Sequence, residues 1–105
     1  MMKGNTVTEF IDDLLIAGGP EKEFVFQNKF YFLETLFNKA EGKMELRIDE
    51  YDRLDISNPA MDRYVRTYSF LGKDFEECTS KFEKAKIFHG QTIYEAEAEI
   101  EVLFG

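Results

Sequence analysis

EFVFQNKFYFL, residues 23–33, is the stretch whose reading decides the fold. Aromatic and branched aliphatic side chains occupy both alternation parities on either side of a Gln-Asn-Lys break, which reads as two strands joined by a tight turn. Strand residues alternate between faces, and opposed residues of a hairpin share a face. With an even loop, centred on Gln27-Asn28 or Asn28-Lys29, the side chains of Phe24, Phe26, Tyr31 and Leu33 fall together as core. The opposite face then carries Val25, Phe30, Phe32 and Leu36 among Glu23, Gln27 and Glu34, which is more apolar than a face that meets only water. A three-residue loop would group Phe24, Phe26, Phe30 and Phe32 instead. It needs a bulge and a left-handed residue, for which Asn28 is suited, so the even loop is the simpler solution. The hairpin is expected near the centre of the sheet.

Upstream, residues 6–17 predict a helix. Thr6 and Glu9 are spaced as a capping box, and Val7, Phe10, Ile11, Leu14 and Leu15 recur at intervals of three and four, with Asp12 and Asp13 on the outer side. Gly18-Gly19-Pro20 stops it. Downstream, the second strand continues to Phe37, and a polar loop containing Gly42 leads to a third strand in which Met44, Leu46 and Ile48 alternate with Glu45, Arg47 and Asp49. Asp55, Ser57, Asn58 and Pro59 mark a longer loop. A fourth strand follows, with Tyr64, Tyr68 and Phe70 on one parity and Val65, Thr67 and Leu71 on the other. Asp74 with Glu77 caps a second helix whose stripe is Phe75, Cys78, Phe82 and Ala85, and Ile87-Phe88-His89-Gly90 breaks it.

The C-terminus carries two conflicting signals. Thr92 with Glu95 is another capping box, and Ile93, Ala96, Ile100 and Leu103 lie at helical spacing. Residues 94–104 also alternate strictly between apolar residues and glutamate, as a strand would. Alanine and glutamate favour helix over strand, and the capping box agrees, so the reading is a last helix. The expected fold is α+β in the order α-β-β-β-β-α-α: a four-stranded antiparallel meander with three helices packed on one face.

At 105 residues the chain is expected to form one domain, residues 1–105, with a core that needs no disulfide or metal. The net charge of −8 repels nucleic acid and anionic membranes and attracts basic partners. One cysteine, Cys78, and one histidine, His89, offer no metal-ligand set, and no cofactor is expected. Asp12 and Asp13 interrupt any signal-peptide core, and no apolar run is long enough to span a bilayer, so a soluble, cytoplasmic protein is expected.

Four features are candidates for function. The apolar outer face of the hairpin, Val25, Phe30, Phe32 and Leu36, is either covered by another part of the chain or a protein-binding surface. Glu95, Glu97, Glu99 and Glu101 form i,i+4 pairs on the flanks of the last helix. They read as a solvated acidic face, or as a docking surface for a basic partner rather than a metal site. Arg47, Arg63 and Arg66 fall in or beside the third and fourth strands and make either an anion-binding patch or cross-strand pairs with Glu45, Asp49 and Glu50, the latter being favoured. His89 sits in a connection between helices but lacks an evident partner for acid–base work, and Cys78 reads as an inert buried thiol.

FIDDLL at residues 10–15, EFVFQNKFYFL at 23–33 and EECTSKFEKAKIFHGQTIYEAEAEIEVL at 76–103 resemble a group of small, acidic, uncharacterised bacterial proteins of about this length. The resemblance covers well over half the chain, is most specific in its last piece, and is poor over residues 38–68, so it does not reach the arginines. It implies a soluble bacterial protein with a helical C-terminus and no known activity. The leading expectation from the residues is a non-enzymatic protein–protein interaction module, immunity-like or inhibitor-like, toward a basic partner. Two alternatives stand beside it: a small-ligand or catalytic domain with a pocket near His89, Tyr64 and the arginines, and a structural homodimer subunit.

Overall fold

The computed structural model describes residues 7–14, 21–53 and 57–104. The expected first cap at Thr6, the stop at Gly18-Gly19-Pro20 and Asp55 in the long loop lie outside them. Helix α1 (Val7–Leu14) precedes strands β1 (Lys22–Phe26), β2 (Lys29–Asn38), β3 (Lys43–Asp52) and β4 (Arg63–Gly72). Helices α2 (Phe75–Lys84) and α3 (Ile93–Ala96) follow, then a 3-10 turn and a fifth strand, β5 (Ile100–Phe104). The sheet is antiparallel in the order β4-β3-β2-β1-β5. Among the described residues no helix is long and apolar enough to cross a membrane.

The hairpin takes the even register. Phe24 pairs with Tyr31 and Phe26 with Lys29 across a two-residue loop. Gln27 and Asn28 both have positive φ, 46° and 63°, the conformation whose twist matches the flanking strands. Phe24, Phe26, Tyr31 and Leu33 are accordingly buried on one face, where Leu46 and Ile48 of β3 and Ile100 of β5 join them. The helices bring Phe10, Cys78, Phe82, Ile93 and Ala96 to the same cluster. Phe88, buried in the turn after α2, packs against Phe24, Phe26 and Tyr31 at 6.1, 5.5 and 5.4 Å between ring centroids.

The helix entries follow their local signals. Asp74 accepts the amide of Glu77 at 2.9 Å. The Thr92–Glu95 capping box is closed in both directions, at 3.3 and 2.9 Å. Gly72 makes the strand-to-helix junction tight: a Cβ there would stand 2.8 Å from Glu77 Cβ and 3.0 Å from the Cys78 amide. Lys22 is wholly buried on the core face of β1, its Nζ 3.0 Å from Asp13 of α1 and 4.9 Å from the Phe10 ring centroid.

Two expectations are corrected. The sheet has five strands, not four, because the predicted last helix ends after one turn and residues 100–104 pair with β1. Hydrogen bonding to β1 satisfies backbone groups on both strands, and Ile100 and Val102 enter the core face. That tertiary gain overrides the helix propensity of the Glu-Ala run. Leu103, expected on an inward helical stripe, is 49% exposed. The second correction is in β4, where a bulge opposite Glu50 and Tyr51 pairs Tyr51 with Tyr64. Tyr64 thereby leaves the parity of Tyr68 and Phe70 and lies on the outer face with Tyr51, at 5.8 Å between rings.

Candidate functional site

The helices pack on one face of the sheet, and the other face carries the predicted apolar set. Val25, Phe30, Phe32 and Leu36 share that face, as the even register requires, and all four are half-buried. β3 and β4 extend it through an aromatic row: Phe30 to Tyr51 is 5.9 Å between centroids, and Tyr51 to Tyr64 is 5.8 Å. Tyr64 is 59% exposed. At one end Phe30, Tyr51, Arg53, Asp62 and Leu103 border a notch of about 460 Å³. The Arg53 guanidinium lies over the Phe30 ring at 5.8 Å and pairs with Asp62 at 3.9 Å, so the notch has an aromatic floor and a neutralised wall.

Carboxylates are set among these apolar groups. Glu23, Glu34, Asp49 and Glu101 all lie on the outer face, by strand parity and pairing with Phe32, Arg47, Thr67 and Val25. Asp49 accepts from the Thr67 hydroxyl at 2.6 Å, and that hydroxyl is 2.7 Å from the Tyr64 hydroxyl. Glu45, also on this face, is buried beneath a set of donors: Asn38 at 2.9 Å, Arg47 at 3.1 Å and Ser69 at 2.7 Å. Burial alone pushes its carboxyl up, but the hydrogen bonds from Arg47, Ser69 and Asn38 and the charge of Arg47 outweigh it. The net effect holds the group below its ordinary value.

No family model, curated protein or solved structure matches the chain.

The other predicted residues are placed differently from one another. The four glutamates do not form two flanks of a helix. Glu95 closes the α3 capping box, Glu99 accepts from Gln27 at 2.9 Å, Glu97 opens the 3-10 turn, and only Glu101 reaches the outer face, beside Val25. The three arginines are not brought together as one patch. Arg47 is on the outer face with Glu45 and Glu34, the latter at 3.7 Å. Arg66 points to the helix side, where its Nε is 3.9 Å from buried Glu50, and Arg63 pairs in register with Asp52. Each of the three thus faces a carboxylate on the neighbouring strand, and parity puts Arg47 and Arg66 on opposite sides. Cys78 is buried with its thiol 3.3 Å from the Met44 carbonyl, and burial pushes its pKa up, so it is a poor nucleophile. The aromatic row is a surface feature that sequence reasoning missed. Tyr51 and Tyr64 have opposite parities in the chain, and only the bulge unites them. Among the described residues no group of three or more His, Cys, Asp or Glu is arranged to hold a metal ion.

Proposed function

We propose that the protein is a non-enzymatic interaction module that docks a basic protein on the outer face of its sheet. The observation that carries this reading is the composition of that face. The row Phe30, Tyr51, Tyr64, together with Val25, Phe32 and Leu36, is apolar, and Glu23, Glu34, Asp49 and Glu101 are interspersed with it on the same face. Interfaces combine aromatic anchors, which supply affinity, with charge beside them, which steers encounter. With a net charge of −8, the complementary partner is cationic. An inhibitor-like or immunity-like role toward a basic protein follows from the same chemistry.

The test compares retained proteins rather than merely collecting them. Tagged wild type, the outer-face variant Phe32→Ser/Leu36→Ser and the helix-side variant Arg66→Gln are each used to capture proteins from a lysate of the source organism, at low and raised salt. A basic protein held by wild type and by Arg66→Gln, released by salt and lost by the outer-face variant supports the reading. If the three baits retain the same proteins, the reading fails. Sedimentation velocity of the same proteins covers the remaining occupant: a wild-type dimer that the outer-face variant abolishes would make this face a self-association surface instead.

A further inference from the structure

A second concavity lies on the opposite side of the sheet, between strand residues and the segment after α2. Its volume is about 420 Å³, within the range of small-molecule sites. The sheet contributes Tyr31, Glu50, Arg66 and Tyr68, and the segment after α2 contributes Lys86 and His89. Cationic side chains thus border one cleft of a protein whose net charge is −8. Lys29 also lines the cleft, and its ammonium contacts Asp52, which offsets part of that charge. Glu50 is the anion at the floor, 4% exposed, accepting the Tyr68 hydroxyl at 3.0 Å. Arg66 stands 3.9 Å from it, beyond hydrogen-bond length, with its side chain 60% exposed toward solvent.

A tight turn presents His89. Phe88 and Gln91 form a reciprocal bridge, at 3.1 Å in both directions, around the two-residue turn His89-Gly90. Both turn residues have positive φ, 52° and 76°. Asparagine is the preferred residue at the first of these positions, and histidine is among the few other side chains enriched there. The imidazole that results is exposed and set edge-on to the Phe26 ring at 5.4 Å. Burial raises the Tyr31 hydroxyl, and burial with the Glu50 hydrogen bond raises that of Tyr68, so both stay protonated at neutral pH.

We infer that this cleft binds a small hydroxylated phosphate monoester, its phosphate facing Arg66, Lys86 and His89 and a hydroxyl donating to Glu50. A dianion matches donors spread over three side chains better than a single carboxylate does, and the guanidinium fork suits phosphate oxygens. Free phosphate alone meets the repulsion of Glu50 without return. An ester with a hydroxyl converts that carboxylate into an acceptor, since an ionised carboxylate has lone pairs beyond those Tyr68 uses. The cleft opens on the helix side, so this site is independent of the outer face.

His89 is the only histidine in the sequence, so its ring-proton NMR signals report on the cleft without further assignment. Ribose 5-phosphate, inorganic phosphate and ribose are titrated into the full chain. The expected result is a saturable shift of the His89 signals with ribose 5-phosphate, and binding about tenfold or more weaker for inorganic phosphate, as the loss of one hydrogen bond to a charged group implies. Arg66→Gln weakens the ester by a similar factor. Lys86→Gln, on an exposed side chain outside the helices and strands, does so even if the strand variant is unstable. The inference is overturned by the lack of a saturable shift up to about 10 mM, far above the dissociation constants of useful sites. It is equally overturned by binding that neither variant weakens, or by inorganic phosphate binding as tightly as the ester.

Discussion

At the scale of single residues, Phe88 links the turn after α2 to the hairpin that organises the sheet. It is fully buried and touches three aromatic rings of β1 and β2. Phe88→Ala is expected to cost about 3–5 kcal/mol, the usual range for a buried aromatic truncation, read from urea midpoints. A loss under 1 kcal/mol, far below that range, would mean that the segment around residue 88 packs independently of the hairpin. Glu45 gives a pH prediction. Its folded pKa lies below its unfolded value, so the stability it contributes is fully present above the ordinary value of 4.5 and is lost as pH falls through the folded pKa. The difference in urea midpoint between wild type and Glu45→Gln should therefore be largest above about pH 5 and shrink toward pH 3. A pH-independent difference would show that the donors, not the charge, set the energetics. Both residues sat in patterns legible from sequence, Phe88 as a helix breaker and Glu45 as an alternating strand residue. An arginine partner for Glu45 was legible too, but its Asn38 and Ser69 donors and the ring partners of Phe88 were not, because they come from other strands.

At the scale of elements, β5 is the strand whose pairing changes the architecture. It covers the edge of β1, which would otherwise present unpaired amides and carbonyls beside Val25 and Phe24. Removing residues 100–105 should lower stability and produce concentration-dependent association, visible by sedimentation velocity; a monomer of unchanged stability would show that β5 is dispensable. The junction between β4 and α2 makes a sharper demand. Gly72→Ala places a methyl group against Glu77 Cβ and the Cys78 amide, and backbone on one side cannot yield. A destabilisation of about 1–3 kcal/mol is expected, as for other overpacking changes. No loss in the melting or urea midpoint would mean that α2 shifts freely. The hairpin, the Gly42 loop and the caps at Asp74 and Thr92 follow from residues close in sequence, and each appears where its local pattern placed it. The last helix did not survive beyond one turn because its competitor was a strand about 75 residues away in the chain.

At the scale of the whole molecule, 21 acidic residues face 13 basic ones. Self-repulsion opposes the compact state, and exposed ion pairs offset little of it. Added sodium chloride, from about 0.02 to 0.5 M, should therefore raise the urea midpoint by shortening the screening length below typical charge separations. A fall over that range would show that specific pairs such as Lys22–Asp13 dominate instead. Both faces of the sheet mix charges: acids accompany the aromatic row on one side together with Arg47 and Arg53, while Arg66 and Lys86 line the cleft with Glu50 on the other. No composition or spacing rule separates Arg47 from Arg66 in this way. Their relation depends on the register that β3 and β4 take across a long loop.

By itself the sequence determined whatever depends on nearest neighbours along the chain. Two-residue periodicity and a left-handed turn set which aromatics of the hairpin are core, and side-chain caps set where helices begin, since these energies act within a few residues. Only the tertiary structure decided the fifth strand, the side on which each arginine lies, the aromatic row and the cleft. Each of those rests on backbone hydrogen bonds and burial between segments far apart in sequence, whose energies decide between local signals, as between the helical and the alternating pattern of residues 94–104, or act where no local signal exists.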